Sequence, residues 1–329
     1  MDSLEQRLAR LNKPVRERIR AVFDARRQPE EVYGLLAEFM SVEGKFLRPA
    51  LCLSACEAVG GKATDAVPAA AAIEMFHNFT LIHDDIEDCS QMRRNRPCLH
   101  VKYGLPLALN AGDGLFMMVW QEALDLAGPR KEQAQRLLLS AFTKVLEGQA
   151  LELGWYQKKK WDIREQDYYQ VVEGKTGALI SACCEVGGLL GGADAKTCKA
   201  LRDFGMGIGV GFQIIDDLLN IVGDEKAYGK EIGGDISEGK RTLLTISALE
   251  ALPAKKRSQL QGILQKPGKT PEDVAAAVGL IRETAAPSVA KAAAEAWIEN
   301  AMSWLAILPE SEAKKTLVDL AEYITRRKR

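Results

Sequence analysis

LIHDDIEDCSQMRRNRP, residues 81–97, sets Asp84, Asp85 and Asp88 directly ahead of the paired arginines Arg93 and Arg94. On a helix, residues four apart share a face, so Asp84 and Asp88 can reach one point in space. Two carboxylates meeting there without a partner would repel each other and raise one pKa. A hard divalent cation removes that conflict, and Mg2+ takes one or two carboxylates while water and phosphate oxygens fill its other positions. The arginines stand where such a phosphate needs cationic donors. Upstream, EMFHNFTL (residues 74–81) is mostly apolar, so the acids end an apolar helix predicted over residues 69–88. An apolar cavity closed by a metal–phosphate clamp suits a diphosphate with a hydrocarbon tail. Taken alone, an acid cluster beside arginines is more often a solvated ion-pair face.

A second acid cluster changes that balance. In GFQIIDDLLNIVGDEKAYGKEIGGDISEGKRTLL, residues 211–244, Asp216, Asp217 and Asn220 repeat the spacing of the first cluster at the end of another apolar helix that carries Phe212 and Gln213. A glycine-rich loop follows with Lys230, Asp235 and Lys240. Two such helices, each followed by cations, would form two halves of one metal–diphosphate site. Between them lie VLEGQALELG (145–154) and YYQVVEGKTGALI (168–180), where Gln149, Lys175 and Thr176 are polar residues in apolar surroundings. A buried lysine is rare unless paired, and a bound diphosphate would be its partner. Earlier, EGKFLRPAL (43–51) puts Lys45 and Arg48 three apart, ahead of a helix start favoured by Pro49. This is either a solvated loop or a second anion pocket. His77, seven residues before Asp84, can face the same cavity as the acids, while His77 and His83 each also read as core histidines.

Composition narrows the field. The chain has 329 residues, 47% hydrophobic and 27% charged, as expected of a globular protein with a large core. The net charge of −1 gives no global basic field for nucleic acid, although the terminal RRKR is locally basic. The N-terminal stretch lacks an apolar signal region and no uninterrupted apolar run reaches membrane-spanning length. Seven cysteines, none in C-x-x-C spacing, argue against a disulfide framework or a zinc site. Cys52 with Cys56, and Cys183 with Cys184, read as buried thiols in a reducing cytoplasm. Prolines punctuate both ends of the chain but none falls between Pro129 and Pro253, where helix-period apolar spacing prevails. An all-α chain forming a single domain over residues 1–329 is the simplest expectation.

In order along the chain, GKFLRP, EMFHNFTLIHDDIEDCSQMRRNRP, EGQALEL, KTGALI, FQIIDDLLN and GKEIGGDISEGK resemble the trans-isoprenyl diphosphate synthases, or polyprenyl synthetases. The resemblance implies an isoprenoid synthase-like helical bundle with its two aspartate motifs facing each other across a deep central cavity, usually in a homodimer. It implies that Asp84, Asp88 and Asp216 hold three Mg2+ ions on an allylic diphosphate, with Asp85 and Asp217 beside them. Arg93, Lys175, Lys230 and Lys240 would grip that diphosphate. Lys45, Arg48, His77 and Arg94 would hold isopentenyl diphosphate, and Thr176 and Gln213 would turn their dipoles toward a developing allylic cation. Three positions depart from the family pattern: Asn220 where a third acid is common, Asn95 where glycine usually follows the arginines, and Phe46 where arginine is common.

Product length can be argued from the helix carrying Asp84. A growing tail would run back past Phe79 and Thr80 toward Phe76 and Met75, and one helical turn, about 5.4 Å, is comparable with one isoprene unit. The Phe79 ring suggests an early floor, and within the family it resembles the short-chain geranylgeranyl (C20) type, with farnesyl (C15) next. The alternatives are a class I terpene cyclase, which needs no isopentenyl pocket, and a non-catalytic subunit of a heteromeric synthase, which usually loses acids from the first motif.

Overall fold

A computed structural model describes residues 3–42, 44–223 and 232–325. The helix-period spacing becomes, in order, α1 (Leu4–Asp24), α2 (Glu30–Met40), α3 (Leu47–Ala58) and α4 (Ala63–Glu87). A small hairpin of β1 (Met92–Arg93) and β2 (Arg96–Pro97) is the only extended structure among the described residues. Then come α5 (Leu99–Tyr103), α6 (Leu105–Leu124), α7 (Lys131–Gln157) and α8 (Glu165–Val172). A π-helical turn, Glu173–Gly177, leads into α9 (Ala178–Leu190) and α10 (Ala195–Val222). The remainder comprises α11 (Gly234–Glu238), α12 (Leu243–Ala251), α13 (Ala254–Gln265), α14 (Pro271–Arg282), α15 (Ala286–Trp304) and α16 (Glu312–Thr325). The fold is all-α, as the sequence implies.

The acid-bearing helix α4 starts at Ala63, six residues before the predicted start. Pro68 is accommodated inside it. The carbonyl that Pro68 leaves without its helical donor belongs to exposed Thr64, where water can satisfy it.

Packing divides the chain into two compact units. The first comprises Met1–Phe142, Ile180–Arg202 and Leu305–Leu320. Its central helix is α4, which packs on α1, α3 and α6. Ile73, Met75, Phe76 and Ile82 of α4, Leu51 and Leu53 of α3, and Leu115 and Met118 of α6 are fully buried. Each such side chain contributes about 1.5–3 kcal/mol of hydrophobic stabilisation. The run Ala69, Ala70, Ala71 and Ala72 is fully buried too, and its small size lets neighbouring backbones come close. At Gly187 of α9 a Cβ would collide with the carbonyl of Cys52 on α3, so only glycine permits that crossing. Cys52, Cys56, Cys183 and Cys184 are buried here as free thiols, and burial raises the pKa of all four.

The second unit comprises Thr143–Leu179, Asp203–Trp304 and Ala321–Arg329. Trp155, Tyr168, Val171, Ile214, Ile236, Leu243, Leu260 and Ile281 belong to its continuous core. One described helix, α10, is long and apolar enough to cross a membrane by length and composition, but 56% of its apolar window is buried inside the protein.

Candidate active site

In the first unit, the acids occupy the last turn of α4, which contains no basic residue. The exposed carbonyls of a helix C-terminus carry partial negative charge, so acids there are unfavourable until a cation joins them. Asp84 is half-buried, Asp88 is exposed, and the Asp88 backbone N–H donates to the Asp84 carbonyl at 2.8 Å. Asp85 differs from both. It is 1% exposed and accepts from Arg93 Nε at 2.8 Å and from a terminal nitrogen of Arg93 at 2.5 Å. Its other oxygen is buried without a hydrogen bond beside the Cys98 thiol, whose pKa is pushed up to about 12 by burial and by Asp85. Asp85 therefore fixes Arg93, whereas Asp84 and Asp88 are the more accessible acids of the motif.

The arginines sit on the β1–β2 hairpin, where Arg93 pairs with Arg96. Its two-residue turn, Arg94–Asn95, has φ of 51° and 62°. A tight hairpin needs left-handed backbone at both turn positions, and asparagine tolerates it best after glycine. Asn95 thus supplies the left-handed conformation this turn position needs. The turn sends Arg94 back to the loop ahead of α3, where its Nη1 donates to the Val42 carbonyl at 2.7 Å. Phe46, the second departure, is 6% exposed, with the Arg16 guanidinium 3.9 Å from its ring centroid and its carbonyl accepting from Asn12 at 3.0 Å. It anchors the loop that carries Lys45 and the start of α3, which carries Arg48. His77 is held neutral: burial, then the nearby charges of Arg48, Arg94 and Arg93, push its pKa well below the usual imidazole value. Three guanidiniums therefore act on one imidazole, a field suited to an anion.

Behind the acids lies an aromatic cluster, of which only Phe79 and Phe76 were legible in the sequence. Phe79 and Phe76 of α4 are 5.5 Å apart; Phe116 of α6 is 5.0 Å from Phe79, and Phe142 of α7 stacks on Phe76 at 3.8 Å. Trp120 closes the group against Phe142 at 5.9 Å. Met75 is fully buried, and Thr80 donates its hydroxyl to the His77 carbonyl at 2.8 Å. His83 turns to α6 instead, with its ring 4.6 Å from Phe79 and Nε2 3.7 Å from Asp113.

In the second unit, the π-helical turn presents Lys175 and Thr176. Such turns interrupt regular helix and re-aim side chains. Lys175 Nζ donates to Glu152 at 2.7 Å, and Tyr156 donates to the same carboxylate at 3.2 Å. Burial pushes the Glu152 pKa up, but Lys175 and Lys240 outweigh it and hold the pKa below the usual carboxylate range. Thr176 donates to Gln213 at 2.9 Å, Gln213 to Asp217 at 2.9 Å, and Tyr168 to Asp217 at 2.7 Å, so one chain of hydrogen bonds fixes the Gln213 amide. Asp217 is 5% exposed, and burial with Asp235 nearby raises its pKa to about 8. Asp235 is raised by burial and by Glu238 and Asp216, although Lys240 bonds it at 3.0 Å. Asp216 is half-buried at the same end of α10. Asn220, the third departure, accepts the Asp235 backbone N–H at 3.1 Å and so holds the loop carrying that acid.

Lys230 and the terminal Arg326, Arg327, Lys328 and Arg329 lie outside the described residues. Glu152, Tyr168 and Asp235 were not singled out as site residues by spacing. Glu152 carried a signal, as the acid three residues after Gln149. Phe116, Trp120 and Phe142 carried none.

Among the described residues no three His, Cys, Asp or Glu side chains converge as a preformed metal cage. The donor set nevertheless fits Mg2+, which needs only one or two carboxylates per ion beside phosphate oxygens and water. Burial first, and neighbouring carboxylates after it, raise the pKa of Asp217 and Asp235, and a nearby cation would favour their charged forms.

The sequence model for "Polyprenyl synthetase" matches residues 29–281. A short chain isoprenyl diphosphate synthase of Methanothermobacter thermautotrophicus is 38% identical over 91% of each chain. A geranylgeranyl diphosphate synthase of Methanosarcina mazei is 36% identical over 91% of each chain. A geranylfarnesyl diphosphate synthase of Aeropyrum pernix is 34% identical over 91% of this chain and 95% of its own. The crystal structure of geranylgeranyl pyrophosphate synthetase from Pyrococcus horikoshii superposes with a TM-score of 0.92, at 34% identity and 98% coverage of each chain. A geranylgeranyl pyrophosphate synthase from Corynebacterium glutamicum, complexed with isoprenyl diphosphate and magnesium, gives a TM-score of 0.88 at 26% identity, covering 97% of this chain and 99% of its own. Matched in motif order, fold and nearly full length, the chain belongs to the polyprenyl synthetase family and is a trans-prenyltransferase.

Proposed function

We propose that the protein condenses isopentenyl diphosphate head-to-tail with allylic diphosphates, ending at geranylgeranyl diphosphate (C20), with farnesyl diphosphate (C15) the next reading. The observation that carries this is the field around His77, where Arg48, Arg94 and Arg93 act together on one unit with the acid end of α4. A second anion site beside a metal–diphosphate motif is what elongation requires and what a cyclase lacks. Retention of Asp84, Asp85 and Asp88 argues against a non-catalytic subunit.

Asp84, Asp88 and Asp216 would hold Mg2+, with three ions per site. Held there, the ions would supply positive charge against the charge that grows on the departing diphosphate. Lys175, steadied by Glu152, with Arg93, Lys230 and Lys240, binds the allylic diphosphate. Lys45, Arg48, His77 and Arg94 bind isopentenyl diphosphate, and the neutral imidazole of His77 can donate without adding charge. The Thr176–Gln213–Asp217–Tyr168 chain keeps the Gln213 amide oxygen oriented, so its dipole can face an allylic cation. The aromatic walls exclude water while that cation exists. The isopentenyl π-bond attacks it, one proton leaves, and the released diphosphate is the acceptor. Phe79, with Phe116 beside it, would stop the tail, and Thr80, Phe76 and Met75 define the depth beyond.

The family match spans residues of both compact units, which supports one functional polyprenyl synthetase domain over residues 1–329. A homodimer in the cytoplasm is the assembly and place we propose, supported by seven free thiols and by exposed apolar side chains on α6. The test is incubation of the protein with labelled isopentenyl diphosphate, Mg2+ and, separately, C5, C10 and C15 allylic diphosphates. A C20 alcohol from every primer after dephosphorylation is the expected product. No incorporation from any primer would overturn the reading in favour of a cyclase or a partner-dependent subunit.

A further inference from the structure

Glu74 is 3% exposed on α4, and none of the roles above uses it. A carboxylate at that depth persists only beside positive charge. Burial raises its pKa, and Arg48, Arg94 and Arg16 pull it back. Hydrogen bonds give this cluster its geometry. Asn78, one turn further along and 2% exposed, donates to the Glu74 carbonyl at 2.8 Å and to its carboxylate at 3.4 Å. The Asn78 amide oxygen accepts from Arg94 Nη1 at 3.5 Å, and that nitrogen also donates to the Val42 carbonyl. Glu74, Asn78, Gly44, Phe46 and Arg94 line one cavity of about 240 Å³, so α4, the loop ahead of α3 and the arginine hairpin meet around the carboxylate.

We propose that Glu74 is a positioning residue for isopentenyl diphosphate: through Asn78 and by its charge it keeps Arg94 in the geometry the diphosphate needs. This rests on the reading of Lys45, Arg48, His77 and Arg94 as the isopentenyl site. Two effects compete when the charge is removed. The pocket becomes more positive, which attracts an anion from a distance. The guanidiniums, always charged, also repel one another and separate. Bidentate recognition fails when donors move by about 1 Å, a displacement worth about a hundredfold, so the loss of geometry outweighs the gain in field.

The test is steady-state kinetics of the full-length enzyme, each substrate varied in turn. Glu74→Gln should raise KM for isopentenyl diphosphate about tenfold or more, while kcat and the allylic KM stay within about twofold. Glu74→Asp, which keeps the charge, should fall between the wild type and Glu74→Gln. Asn78→Ala, which cuts the link to Arg94 and leaves the charge in place, should raise the same KM by a smaller factor. It decides the matter if the Glu74 variants do not fold. Arg48→Ala separates the two readings. If it leaves the isopentenyl KM unchanged, the site assignment itself is wrong. If it raises that KM while Glu74→Gln and Asn78→Ala leave it unchanged or lower, only the role of Glu74 falls. Equal losses in kcat and in both KM values would mark Glu74 as merely structural and would also overturn the proposal.

Discussion

Three aspartates within five residues have different surroundings, and those surroundings predict opposite effects of substitution. Asp85 is a buried partner of Arg93, so Asp85→Ala should lower the melting temperature by leaving Arg93 without its partner. Hydrogen bonds to charged groups contribute about 1.5–3 kcal/mol. Asp84 and Asp88 oppose the dipole of their own helix end. Alanine at either should cut kcat by about a hundredfold or more while leaving metal-free thermal stability equal or slightly higher. Melting curves and turnover measured on the three variants check both halves. Glu152 gives a pH-dependent counterpart. Its pKa is lowered in the folded protein, so its stabilisation is present above the unfolded value of about 4.3 and is lost as pH falls through the folded one. Glu152→Gln should therefore melt lower than wild type at pH 7 and lose less on acidification, read as melting temperature against pH. At this scale the sequence was most informative, because acid spacing and arginine pairs are local. The division of labour between Asp85 and its neighbours was not legible, since it depends on which side of α4 is buried.

At the scale of elements, α4 carries both ends of the proposed chemistry: acids in its last turn and a floor of aromatic rings behind them. Phe79 was legible from its place five residues before Asp84. Phe116 and Phe142 reach the same cluster from α6 and α7, and no local pattern says which distant helices will cross α4 at that level. Their ring separations predict separable effects. Phe79 and Phe116 are 5.0 Å apart, and Phe116 is only half-buried, so Phe116→Ala should lengthen the product toward C25, as should Phe79→Ala. Phe142 is 1% exposed and stacked on Phe76, so Phe142→Ala should chiefly cost stability, about 3–5 kcal/mol, whatever it does to product length. Product sizing after dephosphorylation, with a denaturant melt of each variant, distinguishes the cases. A C20 product unchanged in both Phe79→Ala and Phe116→Ala would remove this cluster from length control.

At the scale of the whole molecule, the proline-free stretch and helix-period spacing made the all-α class readable. Its division into two compact units was not readable, because the chain enters the second unit at Thr143, inside α7, where no proline, glycine or polar linker marks a boundary. The proposed association would likewise rest on a helix surface, in residues that look ordinary one at a time. On α6, Leu105, Leu109, Met117 and Leu124 are 52%, 44%, 56% and 68% exposed. At 100° per residue they fall within roughly a third of the helix circumference, a largely apolar stripe interrupted by the exposed Asp113, on a helix whose other side carries the buried Leu115 and Met118. A stripe of this kind is unfavourable in water and becomes favourable against a second copy of itself, since a twofold contact sets the same patch on both partners. The wild type should therefore elute at twice its 36.1 kDa mass, with a melting temperature that rises with protein concentration. Met117→Lys with Leu124→Lys puts two like charges per protomer into the contact and should yield monomers by light scattering, with the concentration dependence lost. A wild-type monomer, or a double variant that remains dimeric, would assign the stripe no part in assembly.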